Sequence, residues 1–387
     1  MQHAGKNKSQ VDFNERPFIA IWESTQACDL ACVHCRASAQ PLRSSFELST
    51  AEAERLIDQI AELRVPVFVI TGGDPLKRPD IFDLVEYATV HDVRTSLTPS
   101  ATPLLTRDAI AELQRRGLAR LAVSLDGSTA EIHDAFRQVS GSYVRTLPAI
   151  RWARELGLPV QINTTIARRN MANFDDTVRL LESLEIAMWS IFFLVPTGRG
   201  RMDDLISAEE FEAIFARLYQ LARRTRFDIK TTEAQHYRRY VLQARAAERR
   251  HQGSVPVAYG MPAPTAERNN ELARETCRDG IGRAPRGLND GKGFVFISHI
   301  GEVFPSGFLP ISAGNVRRQP LADIYRHSPL FVALRDTSRL QGKCGGCEFR
   351  SVCGGSRARA FALTGNPFAE EPCCVYKPKV AVGLNPF

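Results

Sequence analysis

One plan repeats along the chain from about residue 17 to 200: a short β-rich run, a polar turn, then a helical pattern. The expected strands are Phe18–Trp22, Val67–Thr71, Arg94–Thr98, Leu121–Leu125, Val160–Thr164 and Trp189–Leu194. They are mostly apolar and rich in Val, Ile and Phe, as strands covered on both faces must be. Ser49-Thr50-Ala51-Glu52 and Thr106-Arg107-Asp108 read as helix starts. Successive β-then-α units imply parallel strands with right-handed crossovers. Six of them predict an α/β fold with a partial (β/α)6 barrel, open on one side, rather than the closed eight-unit form. Residues 206 to about 250 read as two further helices. The expected division is a disordered lead-in over 1–16, a barrel core over 17–225, a helical connector over 226–290, and a cysteine-rich α+β module over 291–387. That module opens with a hairpin, Phe294–Ser298 and Glu302–Phe304, turning at His299-Ile300-Gly301.

The chain has 387 residues, 44% of them hydrophobic, and a formal charge of +7. No apolar run approaches the roughly 20 residues that span a bilayer, and the polar N-terminus has no apolar signal region. A cytoplasmic protein is expected, where thiols stay reduced. Nine clustered cysteines then suggest metal binding rather than disulfides. The basic residues are spread over many helices, and none forms the aromatic-interleaved pattern of a nucleic-acid binder. The charge balance permits an anionic small-molecule substrate.

Cys28, Cys32 and Cys35 stand in Cys-Asp-Leu-Ala-Cys-Val-His-Cys. Three thiolates this close can hold three irons of a cubic [4Fe–4S] cluster and leave the fourth iron open to a substrate or cosubstrate. The alternative is a zinc site or buried structural cysteines, but zinc prefers paired Cys-x-x-Cys units and no second half-site lies nearby. In α/β barrels, ligands bind at the C-terminal ends of the strands, and the other distinctive features fall there. Gly72-Gly73-Asp74 follows the second strand; a double glycine lets a backbone approach a ligand, and a carboxylate accepts from an ammonium. The alternative is a turn chosen for backbone shape. Ser124 and Asp126 end the fourth strand on one face, where they would hold hydroxyls or a carboxylate, or cap the next helix. Asn163 and Thr165 end the fifth strand, and Arg199 follows the sixth. At the C-terminus, Cys344, Cys347 and Cys353 are followed by Cys373 and Cys374. Three close thiolates and one distant one can close a cluster completely; a four-thiolate zinc knot is the alternative.

The N-terminal cysteines with Gly72–Pro75 resemble the signature of radical S-adenosylmethionine (SAM) enzymes. The resemblance implies that the open iron takes the amino and carboxylate groups of SAM, and that Gly72, Gly73 and Asp74 meet its amino group. Asp74 stands where glutamate is usual. It further implies cofactor contacts by Ser124, Asp126, Asn163 and Arg199. The C-terminal cysteines resemble the SPASM or twitch extension of the same superfamily, whose full form holds two auxiliary clusters. Here Ser306 and Arg357 occupy two ligand positions of one of them. The implied cofactors are therefore SAM and two [4Fe–4S] clusters, with Cys373 or Cys374 as the last auxiliary ligand and an open role for Cys277. The segments Trp22–Cys28, Cys32–Ala37, Gly291–Phe294, Phe304–Phe308 and Cys353–Ala360 are similar to the tetrapyrrole-modifying branch. That branch includes the haem synthase of the sirohaem-dependent route, which decarboxylates iron-coproporphyrin propionates. The resemblance implies a small-molecule substrate, an anionic porphyrin, and an external reductant such as flavodoxin or ferredoxin. Arg283, Arg286, Arg357 and Arg359 are candidate carboxylate partners. Peptide maturation is the rival within the superfamily; a non-catalytic iron–sulfur electron-transfer or scaffold protein is the rival outside it.

Overall fold

The computed structural model describes residues 11–252 and 287–379. The strands are β1 (Ile19–Glu23), β2 (Val67–Thr71), β3 (Thr95–Leu97), β4 (Arg120–Ser124), β5 (Val160–Ile166), β6 (Met188–Phe193), β7 (Asp228–Thr232), β8 (Phe294–Ile297), β9 (Glu302–Phe304) and β10 (Gly314–Asn315). Between β1 and β7 lie α1 (Thr50–Glu62), α2 (Ile81–Val90), α3 (Arg107–Arg115), α4 (Ala130–Arg137), α5 (Ser142–Glu155), α6 (Phe174–Ser183) and α7 (Ala208–Leu221). After β7 come α8 (His236–Gln252), α9 (Leu321–His327), α10 (Pro329–Arg335), α11 (Gly342–Gly345) and α12 (Arg357–Thr364). The expected helix starts are present. Ser49 and Glu52 form a complete capping box on α1, and the Thr106 side chain accepts from Ala109 N–H to cap α3.

All the strands form one sheet in the order β10-β9-β8-β1-β2-β3-β4-β5-β6-β7. β1 to β7 run parallel. Two features depart from expectation. β7 adds a seventh parallel strand inside the stretch read as helical. The hairpin expected to open a separate module instead extends the barrel sheet, because β8 pairs in parallel with β1, Ile19 opposite Phe294. Residues 11–16, read as part of a disordered lead-in, are also held in place. Val11 and Phe13 pack against Phe18, Ile19 and Leu288, and the Phe13 carbonyl accepts from Tyr325 Oη at 2.8 Å. Burying those side chains offsets the entropy of ordering the segment. Residues 1–10 lie outside the described residues.

Strand alternation divides the barrel into two environments. Trp189, Ile191 and Phe193 of β6 face outward into the helices, where Phe193 stacks on Phe211 at 4.7 Å between ring centroids. The intervening positions face inward, and the top layer carries Thr71, Ser124, Thr165 and Phe192 around a cavity. No helix among the described residues is long and apolar enough to cross a membrane.

Candidate active site

The cysteine loop leaves β1 and folds over the strand ends. Cys28 N–H donates to Gln40 O at 2.7 Å, and Ala31 and Val33 donate to the carbonyls of Arg137 and Phe136 at the end of α4. The double glycine carries this loop. Gly73 N–H donates to Thr25 O at 2.7 Å, and Asp74 N–H to Ala27 O at 2.6 Å. A Cβ on Gly73 would stand 2.4 Å from Ala27 O and 2.6 Å from Gln26 O. Gly198 closes the other side, where φ is +60° and a Cβ would meet Cys35 O at 2.4 Å. Both glycines are therefore required by the cysteine loop itself.

Cys28, Cys32, Cys35, Gly72, Gly73, Ser124, Asn163 and Arg199 all line one cavity, together with Thr165. Arg199 Nε donates to Cys32 O at 2.9 Å, while its Nη2 is buried without a partner. Two expected site residues do not reach the cavity. Asp74 is fully buried, and its carboxylate accepts from Thr102 Oγ1 at 2.8 Å, Leu76 N–H at 3.2 Å and Ser100 N–H at 3.3 Å. It caps the short turn at Pro75–Lys77 rather than facing a ligand. Asp126 is likewise buried; it accepts from Thr165 N–H at 2.7 Å and pairs with Arg137. β4 ends at Ser124, so strand alternation does not carry on to Asp126. Burial raises both carboxyls, against the hydrogen bonds on Asp74 and against Arg137 beside Asp126.

Arg137, which lines the cavity beside Cys32, is a candidate site residue that sequence reading missed. It ends α4, and its Nη1 lies 3.5 Å from Cys32 Sγ. Burial opposes its charge, but Asp126 and Cys32 together outweigh burial and hold the guanidinium charged. Its Nε has no partner. His133 stays neutral, brought down to about 3 by burial and by Arg137. It accepts from Asp126 N–H at 3.1 Å and faces Ser142 at 3.2 Å. His34 Nδ1 is also buried without a partner. At the rim, Glu23 pairs with Arg36 at 2.8 Å and with His299 at 3.1 Å, and Arg36 lies over Phe296.

A second cavity lies under the C-terminal cysteines. Cys344, Cys347, Cys353 and Cys374 line it with His236, Arg239 and Tyr376. Cys373 does not; it packs into the main core, and its N–H donates to Glu371 Oε1 at 3.0 Å. Backbone N–H groups of Glu371 and Gly355 point at Cys344 and Cys353 sulfur, at 3.3 and 3.4 Å. Burial pushes the Cys353 thiol up to about 12, so binding iron there must release a proton. Among the described residues, no three His, Cys, Asp or Glu side chains converge on one point as ligands of a single ion. Thiolates that each hold a separate iron stand further apart.

Ser306 and Arg357 join a buried polar network instead of a cluster. Ser306 Oγ donates to Glu233 at 3.4 Å, Ser356 Oγ also donates to Glu233, and the N–H groups of Arg357 and Ala358 donate to Asp290 at 3.0 Å. Burial raises both Glu233 and Asp290, and the charge of Asp290 raises Glu233 further. Arg357 and Arg359, candidate carboxylate partners, both bond internally, although Arg357 Nη2 is buried without a partner. Arg357 donates to Pro367 O and Ala369 O. Arg359 is fully buried against Glu371. Cys277, Arg283 and Arg286 lie outside the described residues.

The family pattern described as "Radical SAM superfamily" matches residues 22–181. A protein of Methanosarcina barkeri named "AdoMet-dependent heme synthase" is 39% identical over 368 residues, covering 95% of this chain and 99% of that one. The chain belongs to the radical SAM superfamily. A "PqqA peptide cyclase" of Rhodopseudomonas palustris is 30% identical over 94% of this chain and 88% of that one. The fold is shared with Streptococcus suis SuiB bound to S-adenosylmethionine, with a TM-score of 0.68 at 15% identity over 94% of this chain and 78% of that one. The protein is thus a radical SAM enzyme with a parallel barrel and a C-terminal extension, and the reading as a non-catalytic scaffold falls. A [4Fe–4S] cluster and SAM are the family's cofactors, and the site suits both. Three free thiols surround the cavity, and the partnerless His34 Nδ1, Arg137 Nε and Arg199 Nη2 offer groups to a polar ligand.

Proposed function

We infer that this radical SAM enzyme acts on an anionic tetrapyrrole and removes CO2 from propionate side chains. The observation that carries the reading is the near-full-length 39% identity to a protein named AdoMet-dependent heme synthase. Cys28, Cys32 and Cys35 would hold the cluster, and Cys28 and Cys32 are buried from solvent. When bound, cluster and SAM supply a radical that abstracts hydrogen from an unactivated carbon. The chain's own residues position the reactants and exclude water. Arg137, held by Asp126, presents a guanidinium to a carboxylate beside Cys32. Gly72 and Gly73 line the cavity with backbone that SAM would meet, while the space beside their Cα atoms is taken by the cysteine loop. Ser124, Asn163 and Thr165 offer polar contacts on the opposite wall.

A propionate that loses a hydrogen atom, an electron and CO2 becomes a vinyl group. Cys344, Cys347, Cys353 and Cys374 would hold one auxiliary cluster as the electron acceptor. The cavity they share supports Cys374 over Cys373, and the buried network at Ser306 and Arg357 supports a single auxiliary cluster. An external reductant such as flavodoxin or ferredoxin would supply the initiating electron.

The test is anaerobic turnover with iron-coproporphyrin III, SAM and dithionite, followed by mass spectrometry. Mass should fall in steps of CO2 plus two hydrogens. Active SAM cleavage with no porphyrin binding would eliminate the reading. It would favour a peptide substrate, the second reading, which the peptide-cyclase relative supports.

A further inference from the structure

We propose that Lys230, on the inner wall of the barrel, is the seat of a substrate carboxylate; the inference rests on the reading of the substrate as an anionic tetrapyrrole. Parallel register sets Ser124, Asn163, Ser190 and Lys230 side by side across β4, β5, β6 and β7. In-register neighbours point to the same face. Ser124 and Asn163 line the cavity of the N-terminal cysteines, so Lys230 faces the same interior. At about 4.8 Å per strand it stands about 10 Å from Asn163. The lysine side chain and a propionate arm of a ligand in the cavity together bridge such a gap.

The surroundings of Lys230 suit an anion. Arg120 and Arg238 act on it as cations, and Asp228, two residues earlier in β7, brings a carboxylate to the same face. Lys292, at the entry to β8, also feels Arg238. Burial first, then the two arginines, brings the Lys230 ammonium down to about 8. An ammonium that burial disfavours gains from an entering anion. Hydroxyls beside it are likewise unspent. Ser190 Oγ is fully buried without a partner, and Thr232 Oγ1, two residues along β7, is the same. An ammonium and two hydroxyls form a donor set that a carboxylate satisfies; an apolar chain would leave all three unpaired.

The test is Lys230→Met, which keeps the stem and removes the charge. The anaerobically reconstituted full chain is titrated with iron-coproporphyrin III and followed by Soret absorbance. Iron content and thermal midpoint serve as fold controls, and Lys230→Gln is measured in parallel in case the Met variant fails them. Affinity should fall about tenfold or more in either variant, while Lys230→Arg stays within about threefold. The tetramethyl ester, which has no carboxylates, should bind native protein and Lys230→Met alike. Equal affinity of native protein and Lys230→Met for the free acid would overturn the subsite and leave the substrate reading standing. Absence of binding to the native protein would remove the substrate reading and the subsite with it.

Discussion

Arg359→Met should be among the most damaging substitutions outside the cysteines. The Arg359 side chain is fully buried, with Nε donating to Glu371 Oε1 at 2.9 Å and Nη2 to Oε2 at 3.2 Å. The same guanidinium donates to Glu233 O at 2.6 Å and Leu194 O at 3.3 Å. It therefore ties α12 to the ends of β6 and β7. Removing one partner of a buried pair leaves an uncompensated charge and costs about 3–5 kcal/mol. Two backbone donors remain on Glu371, from Ser356 and Cys373, which places the expected loss toward about 3 kcal/mol. The pH dependence gives the stronger check. In the native protein burial raises the Glu371 carboxyl, but Arg359, helped by His236 and the Cys373 N–H, outweighs it and brings it to about 2. The pair's contribution is complete above the ordinary carboxylate value and is lost as pH falls through about 2. In Arg359→Met burial acts without that counter-charge, and the Glu371 pKa rises above its ordinary value. The deficit should then be largest near pH 8 and shrink as pH falls toward that value, because protonation removes the buried charge. Guanidinium midpoints of native and variant proteins at pH 6 and 8, read by tryptophan fluorescence, measure both quantities. A deficit under about 1 kcal/mol, or one independent of pH, would refute the reasoning. Arg359→Met combined with Glu371→Leu should recover part of the loss, since replacing both partners is far less costly than removing one.

Gly73→Ala drives a methyl into two carbonyl oxygens of the cysteine loop; it should cost at least 1–3 kcal/mol and lower iron retention at the N-terminal site, read by iron assay after desalting. Cys374→Ser should reduce iron from about eight to about four per chain, while Cys373→Ser keeps about eight; the reverse pattern would exchange their roles. Cys32→Ala should abolish dithionite-driven 5′-deoxyadenosine release, and Cys347→Ala should retain it. Full release from the Cys32 variant, followed by chromatography, would show that the two sites are misassigned. Asp126→Asn removes the counter-charge of Arg137, which should weaken SAM binding about tenfold in equilibrium dialysis; unchanged affinity would reduce Asp126 to a fold residue.

The barrel was legible because most of its first six strands are short, largely apolar runs punctuated by capped helices. β7 was not, since Asp-Ile-Lys-Thr-Thr has neither an apolar run nor a two-residue alternation, and all five residues are half-buried. Its strand state comes from pairing with β6, a tertiary effect that overrides local propensity. The pairing of β8 with β1 was hidden for the same reason. At the site, the cysteines and glycines were readable from spacing. The carboxylates were not, because their targets lie elsewhere in the chain: Thr102 and Ser100 for Asp74, Arg137 and Thr165 for Asp126. Arg137 carried one usable signal, a cation ending the helix that follows Ser124-Leu125-Asp126-Gly127. The choice between Cys373 and Cys374 depends on which way adjacent residues turn at Glu371, and spacing cannot supply that.

The pairing of β1 with β8 sets an order of events during synthesis. Among the described strands β1 leaves the ribosome first, but the strand that covers its outer edge follows roughly 275 residues later. At about 5–20 residues per second, that edge waits about 15–55 s for its partner. Bare strand edges recruit other chains. The nascent protein is thus exposed longest on the strand that leads into its first cysteines. Fragments that stop short of Phe294 should collect in the insoluble fraction, and slowing translation late in the message should deepen that loss.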